Sequence, residues 1–216
     1  MRQRLNVLLV AALSLPALTA AADSPAEPVS IDTVHRVVSF RAVYRPDQFN
    51  HGRGLHNHHL MTWAGGGAAR NALLVALSPD SAIHDALVSV GAVPGNNLSA
   101  DAWEKIDDSR STAPDMHAAG TLLRIDIVAH GRTISVDSIL RDNGGRRFDF
   151  CFAGNRALIN RWHSGCVVCL ESCPGSKISN RTYAMRDLAR GSARFSERPT
   201  AAIARGDTVL VRVRQR

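Results

Sequence analysis

Leu122-Leu123-Arg124-Ile125-Asp126-Ile127-Val128 sets apolar residues against charged ones at a period of two, the pattern of a strand with one face in a core. His130-Gly131-Arg132 then turns the chain into Thr133, Ile134 and Val136, which predicts a β-hairpin. The end of the chain repeats the pattern: Val209, Val211 and Val213 share one side of Thr208 to Arg214, with Arg212 and Arg214 on the other. Arginines on a strand discourage further pairing, so this one is expected near a sheet edge. Toward the N-terminus, Val34, Val37, Val38, Phe40, Ala42 and Tyr44 make a β-rich segment that stops at Pro46. A polar loop from Asp47 to Gly54 follows, then a short apolar strand at Leu73 to Leu77. Asn143-Gly144-Gly145 is a turn leading into Phe148, Phe150 and Phe152 on one face of a further strand, with Cys151 on the other.

One segment has helical rather than strand periodicity. Ser78-Pro79-Asp80 offers a cap, a proline suited to a first helical turn and an acid for the positive end of the dipole. Ile83, Ala86, Leu87 and Val90 then line one face up to Gly91. These elements predict an α+β fold: a strand-rich single domain with a mostly antiparallel or mixed sheet, one main helix near residues 79–90 and a cysteine-bearing loop at 163–176.

Arg2 and Arg4, the apolar stretch Leu5 to Leu18 and Ala20-Ala21-Ala22 have the layout of a secretory signal peptide over residues 1–22. The stretch is broken by Pro16 and is shorter than the ~20 residues of a membrane span. Residues 23–30, with Pro25 and Pro28, read as a linker, and residues 31–216 as one domain without a transmembrane segment. The chain's formal charge is +7, of which the leader's two arginines are part. Lys105 and Lys177 are its only lysines, and the arginines are scattered rather than gathered into a stripe. A nucleic-acid partner is therefore not expected.

The stretch that reads as chemistry is Cys166-Val167-Val168-Cys169-Leu170-Glu171-Ser172-Cys173-Pro174. Its spacing coincides with the last three cysteines and the proline of the bacterial ferredoxin run. His163 stands where that run has its first cysteine. An iron-sulfur cluster, 4Fe-4S in the fullest case, would take Cys166, Cys169, Cys173 and a fourth ligand, for which Cys151 is the first candidate and His163 the second. Two other uses of the same thiols stay open. In an oxidising compartment four cysteines pair as disulfides, and Cys166 with Cys169 could be redox-active. Zinc would accept the three clustered cysteines with Cys151 or His163. A c-type haem is excluded because Leu170, not histidine, follows Cys169.

Other candidates have plainer readings. His51, His56, His58, His59 and Met61 could form a copper or zinc site, but their spacing matches no helical pair or finger, and a polar loop is expected. Gly65-Gly66-Gly67 reads as a turn. Trp63, Trp103 and Trp162 read as packing residues. His84 and Asp85 read as the solvated face of the helix. Ser164, His163 and Asp149 lack the strained, glycine-flanked nucleophile of a hydrolase, so electron transfer or binding is expected ahead of enzymatic catalysis.

Gly165 to Pro174, continued by Ser179-Asn180 and Tyr183, resembles the signature of the YdjY family, exported bacterial proteins labelled ferredoxin-like. Leu73-Leu74-Val75, the helix at Ile83 to Leu87, Gly91 to Asn97 and Phe152-Ala153-Gly154-Asn155 resemble the same family, so the likeness spans most of residues 50–185. The resemblance implies a redox or iron-sulfur role and a bacterial host. The resulting expectation is a periplasmic, ferredoxin-like electron carrier that meets a redox partner protein, which could be membrane-associated. The alternative is a disulfide-stabilised exported binding or interaction domain without cofactor, or one with a structural zinc site.

Overall fold

The structure, a computed structural model, describes residues 26–50 and 57–216. The expected leader at 1–22, the first residues of the linker, His51 and His56 lie outside the described residues.

The chain begins with β1 (Ser30–Asp32), β2 (Val37–Tyr44) and a short helix α1 (Pro46–Asn50), followed by β3 (His59–Trp63) and β4 (Leu74–Ala76). Two helices, α2 (Asp80–Ser89) and α3 (Ala100–Glu104), lead to the hairpin β5 (Leu122–Ala129) and β6 (Arg132–Ser135). Then come α4 (Val136–Ile139), β7 (Leu140–Asp142), β8 (Phe150–Phe152) and α5 (Ile159–Trp162). The last elements are β9 (Cys166–Cys169), β10 (Ile178–Asn180), α6 (Met185–Ala189), β11 (Phe195–Glu197) and β12 (Thr208–Gln215).

Eight of these strands close into a barrel in the order β2-β12-β5-β8-β10-β9-β3-β4, with β4 pairing back onto β2. β1 lies beside β2 and β6 beside β5, outside the ring, while β7 and β11 form a separate ribbon. This overturns the expected α+β fold. Alternating strands fit an open sheet and a barrel equally well, and closure rests on the pairing of β2 with β4, which local periodicity does not report. The helices are short, and α2 is the longest of the described ones at ten residues.

Residues directly opposite one another across strands share a face, so the register traces the inside of the barrel. Phe40 faces Val211, which faces Ile127; Leu123 faces Phe150. Farther round, Phe152, Ile178, Val168, Met61, Leu74 and Tyr44 follow one another from strand to strand. All belong to one buried apolar cluster, which Ile83, Ala86 and Leu87 of α2 join. β12 is not an edge strand, because it pairs along its length with β2 on one side and β5 on the other. Its outward arginine Arg214 pairs with Asp126 at 3.1 Å. Segment 163–176, expected to be a loop, contains β9.

Truncating an inward ring leaves a cavity that a closed barrel cannot collapse onto. Phe40→Ala should cost about 3–5 kcal/mol in chemical denaturation, whereas Arg212→Ala on the outer face should stay within about 0.5 kcal/mol.

Candidate functional site

The site is built on β9, where two local features gather three thiols on the outer face of the barrel. Against β3, the register runs His59 to Cys169, Met61 to Val168 and Thr62 to Cys166, with irregularities between the pairs. Val167 is thus an extra residue between two adjacent residues of β3, a β-bulge. In an unbroken strand residues three apart face opposite sides, and the extra residue brings Cys166 round to the side of Cys169. The second feature is that β9 and β10 are parallel neighbours. Their connection, residues 170–177, must therefore double back, and it does so over the outer face. It sets Cys173 above Ser179, whose hydroxyl accepts from the Cys173 amide at 3.4 Å. Cys166, Cys169 and Cys173 form one buried cluster, covered by the half-buried Trp103 and Trp162, whose rings are 5.9 Å apart.

Two glycines make this packing feasible. A Cβ on Gly175 would lie 2.4 Å from the Trp162 indole, so the ring can rest on the loop only because Gly175 has no side chain. A Cβ on Gly66 would lie 2.5 Å from Gly165, which lets the turn at residues 65–67 seat the start of β9. Gly67 and Ala68 donate there to the carbonyls of His163 and Ser164.

The thiols differ in their electrostatics. Burial pushes Cys169 well above the usual thiol range, and its hydrogen bonds to Cys166 and Cys173 add to this. Cys173 is held below that range, first by the hydrogen bond from Cys169, then by the amides of Gly175 and Ser176 and by the Lys177 charge, against the opposing effect of burial. Of the two, Cys169 holds its proton more firmly and Cys173 is the more readily ionised. Lys177 is 1% exposed; its ammonium donates to the Gly175 carbonyl at 3.0 Å and pairs with Asp80 at 3.2 Å. On the other flank, Cys166 Sγ lies 3.4 Å from Nδ1 of His59. Burial and the neighbouring His58 depress the His59 pKa well below the usual range, so the imidazole is neutral. Glu171 is completely buried, and neither of its carboxyl oxygens has a hydrogen-bond partner. Burial raises its pKa well above the carboxylate range, and the electrostatic influence of Cys173, Cys166 and Asp187 adds to this.

Of the expected ligands, the structure brings together Cys166, Cys169 and Cys173 but not the fourth. Cys151 faces Ser179 across β8 and β10, and Ser179 faces Cys169 across β10 and β9. Two strand spacings, roughly 10 Å, separate the two cysteines. Cys151 packs instead with Leu98, Ala102, Ala118 and Met185, where burial pushes its pKa up to about 11. His163 is exposed, in a left-handed turn that ends α5, and is not part of the thiol cluster. Among the described residues no group of three or more His, Cys, Asp and Glu side chains is placed to hold a metal ion. The iron-sulfur electron carrier expected from the cysteine spacing is therefore overturned: Cys151, the first candidate for its fourth ligand, stands apart, and no metal-holding group is found among the described residues. All four cysteines are free thiols.

The sequence reading missed His59, Glu171 and Lys177. The histidine spacing suggests a polar loop, whereas His59-Leu60-Met61-Thr62-Trp63 forms β3. Lys177, one of two lysines, gave a signal only by its rarity. His84, expected on the solvated face of α2, is 6% exposed, tilted against Phe152 and hydrogen-bonded to Asp85.

The barrel from β2 to β12 lies within the match to the YdjY domain at residues 29–214, save for Gln215. The chain belongs to the YdjY family. The uncharacterized protein YdjY of Escherichia coli strain K12 is 26% identical over 197 residues, covering 88% of this chain and 79% of that protein. No solved structure matches the chain significantly. In this YdjY domain no helix among the described residues is long and apolar enough to cross a membrane.

Two measurements check the site's energetics. Lys177→Met strands the Asp80 carboxylate and should cost about 3–5 kcal/mol in denaturant titration, much of it restored in the Lys177→Met/Asp80→Leu double variant. Glu171 has a folded pKa above its unfolded value, so its contribution to stability is complete at acid pH and is lost as pH rises through the window above ~4.5. Relative to Glu171→Gln, the wild type should lose up to about 1.4 kcal/mol per pH unit as pH rises above that value.

Proposed function

We propose that this YdjY-family barrel carries a two-electron thiol-disulfide couple formed by Cys169 and Cys173, and that it works as an exported protein. The observation that carries the proposal is the buried cluster that sets Cys169 and Cys173 together, where Cys169, amides of the loop and Lys177 lower the Cys173 pKa. The thiolate is the nucleophile of disulfide exchange, and stabilisation by amides and a cation is the usual origin of a reactive cysteine. The secretory layout of residues 1–22 supports delivery to a compartment where disulfides persist.

The chemistry is balanced by a partner that carries a disulfide. Cys173 attacks one partner sulfur and releases the other as a thiolate, giving a mixed disulfide. Cys169 then loses its proton and attacks Cys173, and the partner leaves as a dithiol. Burial of the pair requires the connection at 170–177 to open for exchange, which favours slow, selective reaction over indiscriminate oxidation. Cys166 is a poor alternative partner for Cys169. Three residues of strand separate their Cα atoms by roughly 9–10 Å before the bulge shortens the span, whereas a disulfide needs less than about 7 Å. Cys169 and Cys173 are joined by a loop that folds back on itself.

Equilibration of the purified chain in a thiol-disulfide buffer, acid quenching, alkylation and peptide mass mapping test the proposal. One intramolecular bond between Cys169 and Cys173 is expected, with Cys166 and Cys151 alkylated, and Cys173→Ser should abolish it. Four alkylated thiols under oxidising conditions, or a bond involving Cys151, would sink the proposal.

A further inference from the structure

We infer that the Trp162 indole is the gate between Cys173 and its partner disulfides, and that α5 carries it on and off the thiol pocket. The inference rests on the thiol-disulfide reading above and assigns the element that admits a partner, which that reading leaves open.

Of the three clustered thiols, Cys173, the attacking sulfur, is the most exposed at 5%, against 1% for Cys166 and 0% for Cys169. Its turn is closed by the Ser176 amide, which donates to the Cys173 carbonyl at 3.3 Å. That turn contains Gly175, against which the Trp162 ring is packed. The connection at 170–177 therefore cannot rise while Trp162 is in place.

The two indoles of the cover are held differently. Trp103 belongs to α3, which buries Ala100 and Ala102 and is capped by the Ser99 hydroxyl, accepting from the Ala102 amide at 3.2 Å. Around Trp162, by contrast, none of residues 155–159 and 161–164 is buried. A cavity of about 240 Å³ lies beside α5, between Ile159 and His163 on one side and Trp63, Pro79 and Asp80 on the other.

The segment is pinned at its ends instead. The Gly154 amide donates to the Lys177 carbonyl at 3.0 Å and the Asn155 amide to the Asn96 side chain at 2.6 Å. At the far end the His163 and Ser164 carbonyls accept from Gly67 and Ala68. Both ends are left-handed corners: φ is 85° and 58° at Gly154 and Asn155, and 47° and 68° at His163 and Gly165. Between the corners two ion pairs tie the segment to its neighbours, Arg156 with Asp85 at 2.9 Å and Arg161 with Glu104 at 3.2 Å. Their side chains are 48–65% exposed, and ion pairs so exposed hold weakly and are screened by salt. A short segment with few buried contacts opens at a small fraction of the global unfolding free energy. Opening lifts the indole off Gly175 and uncovers Cys173 ahead of the deeper Cys169. The exchange it admits is the one described above and takes no further electron or proton.

The test is alkylation of the reduced, folded protein by iodoacetamide, with the rate at each cysteine read by mass mapping. Trp162→Ala should speed alkylation of Cys173 by about tenfold or more, while Cys151, buried in a separate cluster, keeps its wild-type rate. Glu104→Gln leaves every thiol and indole in place and should speed Cys173 about two- to fivefold. Added salt should accelerate Cys173 in the wild type more than in Glu104→Gln. An unchanged Cys173 rate in Trp162→Ala contradicts the gate, and so does equal acceleration of Cys173 and Cys151, which marks global unfolding. Should Trp162→Ala misfold, Glu104→Gln and the salt series decide, and a Cys173 rate indifferent to both overturns the inference. Alkylation reads access alone, so its failure is distinct from failure of the couple, which the bond mapping in thiol-disulfide buffer decides.

Discussion

The backbone rungs between β2 and β4 are the constraint on which everything else in this molecule depends. The Leu77 amide donates to the Arg41 carbonyl at 2.9 Å and the Arg45 amide to the Leu73 carbonyl at 2.8 Å, at the two ends of the β2–β4 pairing. With them in place, eight strands have no open edge in the ring, and every strand residue faces either the filled interior or the outside. The inside is apolar all the way round. What the barrel cannot bury within itself, the outward side chains of β8, β10, β9 and β3, must be covered by the rest of the chain. The α3 region, Trp162 and the connection from β9 to β10 supply that cover, and the thiols are sealed between the two layers.

Direction is as important as closure. Because β9 and β10 run parallel, the short chain between them has no path except back over the barrel wall. That path carries Cys173 onto Cys169, stations Lys177 against Asp80 of α2 and buries Glu171. A bulge of one residue in β9 completes the trio by reorienting Cys166. The chemistry of the site is therefore a consequence of topology: a hairpin between β9 and β10 would leave Cys173 facing elsewhere. The same topology explains why Cys173 is the more acidic of the pair, since it brings Cys169, the loop amides and Lys177 to bear on it.

The long, regular parts of the fold were legible in the sequence. Alternation placed β2, β5, β6 and β12, and the Ile83, Ala86, Leu87 spacing placed α2, because each of these segments is long enough to show its period. Phe148, Phe150 and Phe152 likewise marked β8, but β9 and β10 are four and three residues long and buried on both faces, so they carry no alternation to read. Closure was illegible for a different reason: β2 and β4 are about thirty residues apart, and neither announces its partner. Arg212 and Arg214 suggested an edge, but on a barrel an arginine faces solvent from any strand. At the site, the spacing of Cys166, Cys169 and Cys173 correctly marked a cluster and misled about its use. Spacing does not say that Ser179 would stand between Cys169 and Cys151, or that His59 would arrive from a strand more than a hundred residues away.

The most direct measurement is amide hydrogen exchange, resolved by residue, at Leu77 and Arg45. In a closed barrel both amides are protected to a degree comparable with Val211 in the middle of β12, because all three open only when the ring does. If Leu77 and Arg45 exchange as fast as the amides of the peripheral strand β1 while Val211 stays protected, the sheet is open, and the two-layer account of the thiol site is contradicted with it.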